Sequence, residues 1–331
     1  MIGDILDTEE VDGDTIEQEE IDKVFQDHYT LIARNKVSKK KAYIKNFSVT
    51  KSLKIAVGLG DNSIEVFELN NTSLRKVCKF SGHNKTLTEV VVSNKEDYLV
   101  YSCGHDSTIK LWDTRSGLCE QNYKGSVGPF ECMDISSNEA VLCAGTIFVK
   151  PNAFIVFWDK RNTTPLGGYW NWHQDDITQL KFHRKKPQIL VSGSSDGLLN
   201  VYDVLEVQEE EALQQSLNVG MGVDKVSWLD EKRVACVAGY ELQLWDAISG
   251  DRLHAFSRDQ FARAIKRNRA DECYIVDVHP SSTGELVVGG SHAGDWPLRA
   301  ATVRGRKLRP RASFAHNNQL VRCSHFHEER L

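Results

Sequence analysis

A unit of about 45 residues recurs along this chain, and it limits the possible folds more than any other feature of the sequence. Five segments close on one pattern, an apolar strand-like run ending in an aromatic residue and an acid: Ile64–Glu68, Ile109–Asp113, Ile155–Asp159, Leu199–Asp203 and Leu242–Asp246. Their aromatic positions, Phe67, Trp112, Trp158, Tyr202 and Trp245, are spaced 45, 46, 44 and 43 residues apart. Apolar and polar residues alternate with period two inside each unit. Turn residues punctuate it, as Gly193-Ser194-Ser195-Asp196-Gly197 does ahead of the run from Leu198 to Tyr202. Short strands joined by tight turns at this period match the four-stranded blades of a β-propeller, an all-β architecture. One blade cannot bury both of its faces. Blades stacked around an axis cover one another, so the unit must repeat.

A second pattern lies between the strands. His83, Ser102, Asp106 and Trp112 recur 90 residues later as His173, Ser192, Asp196 and Tyr202. Here the chain resembles the WD-repeat family, whose well-formed blades share a His, Ser, Asp and aromatic hydrogen-bond network. Carboxylate, imidazole, hydroxyl and indole suit such a relay of donors and acceptors. The same residue types also make hydrolase triads. However, each Ser sits on a strand and none lies in a G-x-S-x-G elbow. The set is duplicated with the fold, so the eight residues are read as a structural network and no catalytic, cofactor or metal site is assigned. Other blades depart from the pattern. The first has Phe67 and Glu68, the third a long turn from Thr146 to Ala153, and the fifth Gly239 where Asp is expected.

The ends of the chain decide the architecture. Residues 1–27 read as an acidic, disordered segment and residues 28–331 as the propeller. A sixth blade begins at Tyr274–Val278 and Leu286–Gly290, and its later strands are obscured by His292–Pro297. A further repeat opens at Phe314-Ala315-His316, with Leu320–Phe326 as its first strand. The family resemblance implies seven blades. The expectation is therefore a seven-bladed propeller with its last blade incomplete, and with Tyr29–Ala33 as its outer strand.

A net charge of −5 and a pI near 6.1 give no global signal for nucleic acid, and no apolar run has membrane-spanning length. The acidic start does not read as a secretory signal, so an intracellular protein, cytoplasmic or nuclear, is expected. The eight cysteines show no C-x-x-C pair and read as reduced core thiols. Function then reads as a non-catalytic scaffold for other proteins. A sharper reading rests on Trp112-Asp113-Thr114-Arg115 and Trp158-Asp159-Lys160-Arg161, which resemble the W-D-x-R motif of substrate receptors in cullin–RING ubiquitin ligases. Arg115 and Arg161 would contact the ligase adaptor. A third reading is a ribosome-assembly or RNA-associated scaffold, using the basic run of Arg304, Arg306, Lys307, Arg309 and Arg311. A propeller-type esterase is the enzymatic alternative, and no nucleophile, metal site or phosphate loop marks one.

Overall fold

In the computed structural model, described over residues 18–25, 27–29, 31–37, 43–70, 72–292, 297–314, 317 and 319–327, the repeats become six sheets arranged in sequence. A helix, α1 (Gln18–Val24), and a short strand, β1 (Asp27–Tyr29), precede the first blade. Blade one is β2 (Ile44–Val49), β3 (Lys54–Leu59), β4 (Ser63–Asn70) and β5 (Ser73–Ser81). Blade two is β6 (Leu87–Val92), β7 (Leu99–Gly104), β8 (Thr108–Asp113) and β9 (Leu118–Lys124). Blade three is β10 (Phe130–Ile135), β11 (Val141–Thr146), β12 (Ala153–Asp159) and β13 (Pro165–His173). Blade four is β14 (Ile177–Phe182), β15 (Ile189–Ser194), β16 (Leu198–Asp203) and β17 (Leu213–Asn218), with a one-turn helix, α2 (Glu209–Ala212), before its last strand. Blade five is β18 (Val223–Trp228), β19 (Arg233–Ala238), β20 (Glu241–Asp246) and β21 (Arg252–Phe256). Helix α3 (Arg258–Ala264) leads into blade six, β22 (Cys273–His279), β23 (Leu286–Ser291), β24 (Leu298–Arg304) and β25 (Lys307–Phe314). The five aromatic markers all lie on the third strand of their blades.

Each blade is antiparallel, and its core is shared with the next blade. Tyr101, Ile109 and Tyr123 of blade two pack with Phe130, Leu142 and Trp158 of blade three, and Val191 and Val201 pack with Trp228 and Val234 across the next junction but one. Helix α3 fills the blade five to six junction with the fully buried Phe261. Its start is a capping box: Gln260 N–H donates to Ser257 Oγ at 3.3 Å, and Ser257 N–H to Gln260 Oε1 at 2.9 Å. Gly289 is needed beneath it, because a Cβ there would lie 2.5 Å from the Phe261 ring and 2.2 Å from the Tyr274 carbonyl.

Adjacent inner strands are also hooked together by side chains. Val92 N–H donates to Ser48 Oγ at 3.1 Å, Met133 N–H to Glu89 Oε2 at 2.8 Å and Phe182 N–H to Asp134 Oδ2 at 2.6 Å. A parallel series runs through Thr88 Oγ1 to the Phe130 carbonyl at 2.9 Å, Cys132 Sγ to the Ile177 carbonyl at 3.1 Å and Thr178 Oγ1 to the Val223 carbonyl at 2.5 Å.

The expected seventh blade is corrected by this topology: six blades are formed among the described residues. Residues 320–326 form no strand, yet they take the place of an inner strand beside β22. Ser324 N–H donates to Asp277 Oδ2 at 2.7 Å, the same hook used between the other blades, and Leu320, Val321 and Phe326 cover the apolar outer face of blade six. Arg322 reaches over the Tyr43 ring at 5.2 Å, which carries the contact to blade one. Nor does Tyr29 belong to a further blade. Strand β1 pairs in parallel with β25 as a fifth strand of blade six, held by stacking of Tyr29 on Phe314 at 5.0 Å and by the Arg311–Asp27 ion pair at 2.5 Å. An unpaired outer edge on β25 is the physical reason, since pairing satisfies its exposed backbone groups. Within the stretch read as an acidic segment, Gln18–Val24 is helical and Ile21 and Phe25 are buried. Residues 1–17 lie outside the described residues.

Candidate functional site

The two His, Ser, Asp and aromatic sets each converge at the end of the ring that carries the loops between blades. In blade two, His83 Nδ1 lies 3.0 Å from Asp106 Oδ2, His83 Nε2 lies 2.7 Å from Ser102 Oγ, and Trp112 Nε1–H donates to Ser102 Oγ at 2.8 Å. Burial pushes the His83 imidazole below its ordinary pKa, against the pull of Asp106, so it is neutral at neutral pH. The donors then order themselves: Nδ1–H to the carboxylate, Ser102 O–H to Nε2, indole N–H to the hydroxyl. Burial by itself would raise the Asp106 carboxyl, but the Thr108 hydroxyl, His83 and the Asn84 amide together hold it below the usual carboxylate range. In blade four His173 Nδ1 lies 2.9 Å from Asp196 Oδ2 and Nε2 lies 2.6 Å from Ser192 Oγ. Tyr202 joins through Asn200, whose amide donates to its hydroxyl at 3.2 Å. Ser102 and Ser192 are fully buried.

The other blades show what the missing residues cost. Ala144 occupies the position in blade three that Ser102 holds in blade two, by the same strand register. The buried Trp158 Nε1–H there makes no hydrogen bond. An unsatisfied buried donor costs about 1–3 kcal/mol. The Ala144→Ser substitution is therefore expected to stabilise the chain by about 1 kcal/mol, read as a rise in melting temperature. An unchanged or lower melting temperature would show that the hydroxyl does not reach the indole.

Chain direction sorts the surface candidates onto one face. The turns between first and second strands, and those between third and fourth, all lie at the end opposite the loops between blades. Arg115 confirms the sorting locally, with its guanidinium 3.3 Å above the ring of Tyr98 from the neighbouring turn of the same blade. Each W-D-x-R arginine folds back on its own aspartate, Arg115 Nη2 to Asp113 Oδ2 and Arg161 Nη2 to Asp159 Oδ2, both at 2.6 Å. They remain 62% and 87% accessible. Arg161 holds the Asp159 carboxyl down at about 2, by its side chain first and then its backbone N–H. Arg304, Arg306 and Lys307 are exposed at the β24–β25 turn of this same face, and Arg309 follows them on β25. Arg311 is set apart by its ion pair with Asp27.

Sequence reasoning missed a cluster inside the ring, formed across three inner strands. Lys181 Nζ on β14 lies 3.1 Å from Glu89 Oε1 on β6, with Asp134 of β10 between them in the ring. Burial would lower the Lys181 ammonium, but Glu89 and Asp134 more than reverse that and hold it above its ordinary value. Asp134 is raised to about 6 by burial, against the pull of Lys181 and the Phe182 and Ile135 amides. Charged residues on alternating strand positions were the available signal, but partners 92 residues apart leave no local trace. The eight cysteines are free, burial raises the Cys236 thiol to about 12, and no group of side chains able to hold a metal occurs among the described residues.

Six antiparallel blades, two of them bearing this network, define a β-propeller with WD-type repeats. The repeat description WD domain, G-beta repeat, matches residues 74–113 and 166–203, so two of the blades are WD repeats. It is similar to WD repeat-containing protein GTS1 of Arabidopsis thaliana, 28% identical over 72% of this chain and 62% of that protein. It is also similar to the WD repeat-containing protein 89 homolog of Dictyostelium discoideum, 23% identical over 80% of this chain and 72% of that one. The chain thus spans less than two thirds of GTS1. In fold it matches a chain in the crystal structure of the mitotic checkpoint complex, with TM-score 0.66 and 14% identity over 86% of each chain. WD-repeat propellers serve generally as protein-interaction scaffolds. No helix among the described residues is long and apolar enough to cross a membrane.

Proposed function

We propose that this chain is a non-catalytic scaffold that captures partner proteins on the face carrying the strand-to-strand turns. One observation carries the reading: in a chain of net charge −5, Arg115, Arg161, Arg304, Arg306 and Lys307 converge on that face with accessible side chains. Arginine suits such contacts because its planar fork donates in pairs to carboxylates and carbonyls. The Ser–His–Asp sets support a non-catalytic role from the other side. Each hydroxyl is buried, and each imidazole already has both nitrogens engaged. A model-ester assay tests this half of the reading: background rates are expected, and turnover abolished by Ser102→Ala would overturn it.

The W-D-x-R pair supports a second, finer reading, capture of a ubiquitin-ligase adaptor. Arg115 and Arg161 occupy the same turn of neighbouring blades, each oriented by its own aspartate. The double change Arg115→Ala and Arg161→Ala is expected to abolish adaptor capture in a pull-down without altering the melting temperature. Undiminished capture would eliminate this finer reading and leave the scaffold intact.

A further inference from the structure

A cavity of about 640 Å³ opens on the same face, between the first turns of blades four and five. Its apolar lining is Trp228 and Leu229, both largely buried at the end of β18. The Trp228 ring meets the edge of His183 at 4.7 Å, and its Nε1–H donates to the Lys181 carbonyl at 3.0 Å, so this wall is fixed. The opposite wall is His183-Arg184-Lys185. His183 Nδ1 accepts from the amides of Lys185 and Lys186 at 3.0 and 2.9 Å, which sets the turn.

The charges of the cavity do not cancel. Asp230 is taken by Arg233 at 2.6 Å and Glu231 by Lys185 at 3.0 Å, while Arg184 makes no ion pair among the described residues. Water reaches Arg184, but protein surrounds it closely enough that burial pulls its guanidinium below the ordinary value. Arg184 lines the cavity and has no carboxylate partner among the described residues, so it presents an unpaired cation to the concave space. An incoming carboxylate would therefore find a charged donor with no competing counter-charge.

We propose that this cavity binds an acidic peptide segment of a partner protein, with an apolar or aromatic side chain against Trp228 and Leu229 and a carboxylate on Arg184. One feature favours a peptide over nucleic acid: the apolar wall of Trp228 and Leu229 takes an apolar side chain, which a sugar–phosphate backbone lacks. The Lys185–Glu231 pair spans the two turns and is highly exposed, so it opens at little cost. The inference rests on the scaffold reading and names one class of partner for it.

The test uses the full chain and three labelled probes: the peptides EEFEE and EEAEE, and a single-stranded RNA of 20 nucleotides. EEFEE is expected to bind and to perturb tryptophan fluorescence, and EEAEE to bind more weakly. Arg184→Gln is expected to weaken EEFEE by at least about tenfold, because a charge-assisted hydrogen bond is lost. Its melting temperature should be unchanged, since Arg184 is solvent-accessible. No EEFEE binding, or binding indifferent to Arg184→Gln, would overturn the site. RNA binding that is tighter than EEFEE binding and equally lost in Arg184→Gln would overturn the peptide assignment. Failure here leaves adaptor capture by Arg115 and Arg161 untouched, and the two readings fail separately.

Discussion

Replacing Asp106 by alanine is expected to lower the stability of the chain by about 2–4 kcal/mol and leave the capture of partners by folded protein unchanged. Three donors converge on that carboxylate: the His83 ring at 3.0 Å, the Asn84 amide at 3.2 Å and the Thr108 hydroxyl at 2.7 Å. Alanine strands all three, one of them on an imidazole whose side chain is almost wholly enclosed. The loss then propagates. Without the carboxylate nothing fixes the proton on Nδ1, so Ser102 loses its defined acceptor and Trp112 its oriented hydroxyl. Asp106→Asn keeps an acceptor in place and should lose much less. For a chain of this size the alanine variant should melt roughly 5–10 °C lower. Calorimetry reads the first effect, and pull-down at matched folded concentration reads the second. Partner capture lost at an unchanged melting temperature would make the network a functional site and refute the structural assignment.

Different parts of the molecule were legible in the sequence for different physical reasons. The third strand of each blade is buried on both faces and ends on an acid at the turn, so Trp112-Asp113 and Trp158-Asp159 stand out in any register. Outer strands are mostly solvated apart from an anchoring apolar residue such as Tyr123, and carry no such signal. β25, Lys307–Phe314, has three basic residues in eight, contains Pro310 and pairs with β24 across a register shift at Ala300/Ala301, so blade six ended too early in the sequence reading. That error compounded the next. With β24 and β25 unassigned, Phe314 and Leu320 read as the start of a new blade, whereas 320–326 supplies only an inner-strand filler for the junction between blades six and one. The eight network residues could be read because repetition doubles their signal, 90 residues apart. Arg184 and the Lys181 cluster could not, because their significance lies in neighbours from other blades. Nor could the common face of Arg115, Arg161 and the 304–307 turn, which follows from strand direction once each strand has been placed.

The Lys181 cluster leads to the second large prediction, and its sign is opposite to the usual loss on mutating a buried charge. The Asp134 carboxyl titrates near its ordinary value of 3.8 in the unfolded chain and at about 6 in the folded one, raised by burial. Between those values the native state binds the proton more tightly than the unfolded state. Stability contributed by this group therefore falls as pH rises from about 4 to about 6, and it stays low above that. At neutral pH the ionised form costs up to about 3 kcal/mol relative to a neutral isostere. Asp134→Asn retains an oxygen to accept the Phe182 N–H, which now donates at 2.6 Å, and removes the charge. Lys181 then loses one of its two counter-charges, so the net gain should be smaller, about 1–2 kcal/mol. Urea unfolding should show that gain at pH 7.5 and none at pH 4. A loss at pH 7.5, or an equal shift at both pH values, would refute the assignment. Glu89→Gln should act the other way, because Glu89 is the carboxylate in contact with Lys181 at 3.1 Å and also accepts the Met133 amide. Losing that charge leaves the lysine dependent on Asp134, which would then ionise more readily in the folded state. In the double variant Lys181 has no counter-charge in the ring, and stability should fall below that of either single change. Such non-additivity would identify Glu89 as the partner that Lys181 requires, and Asp134 as a charge whose burial the ring tolerates for its bond to Phe182.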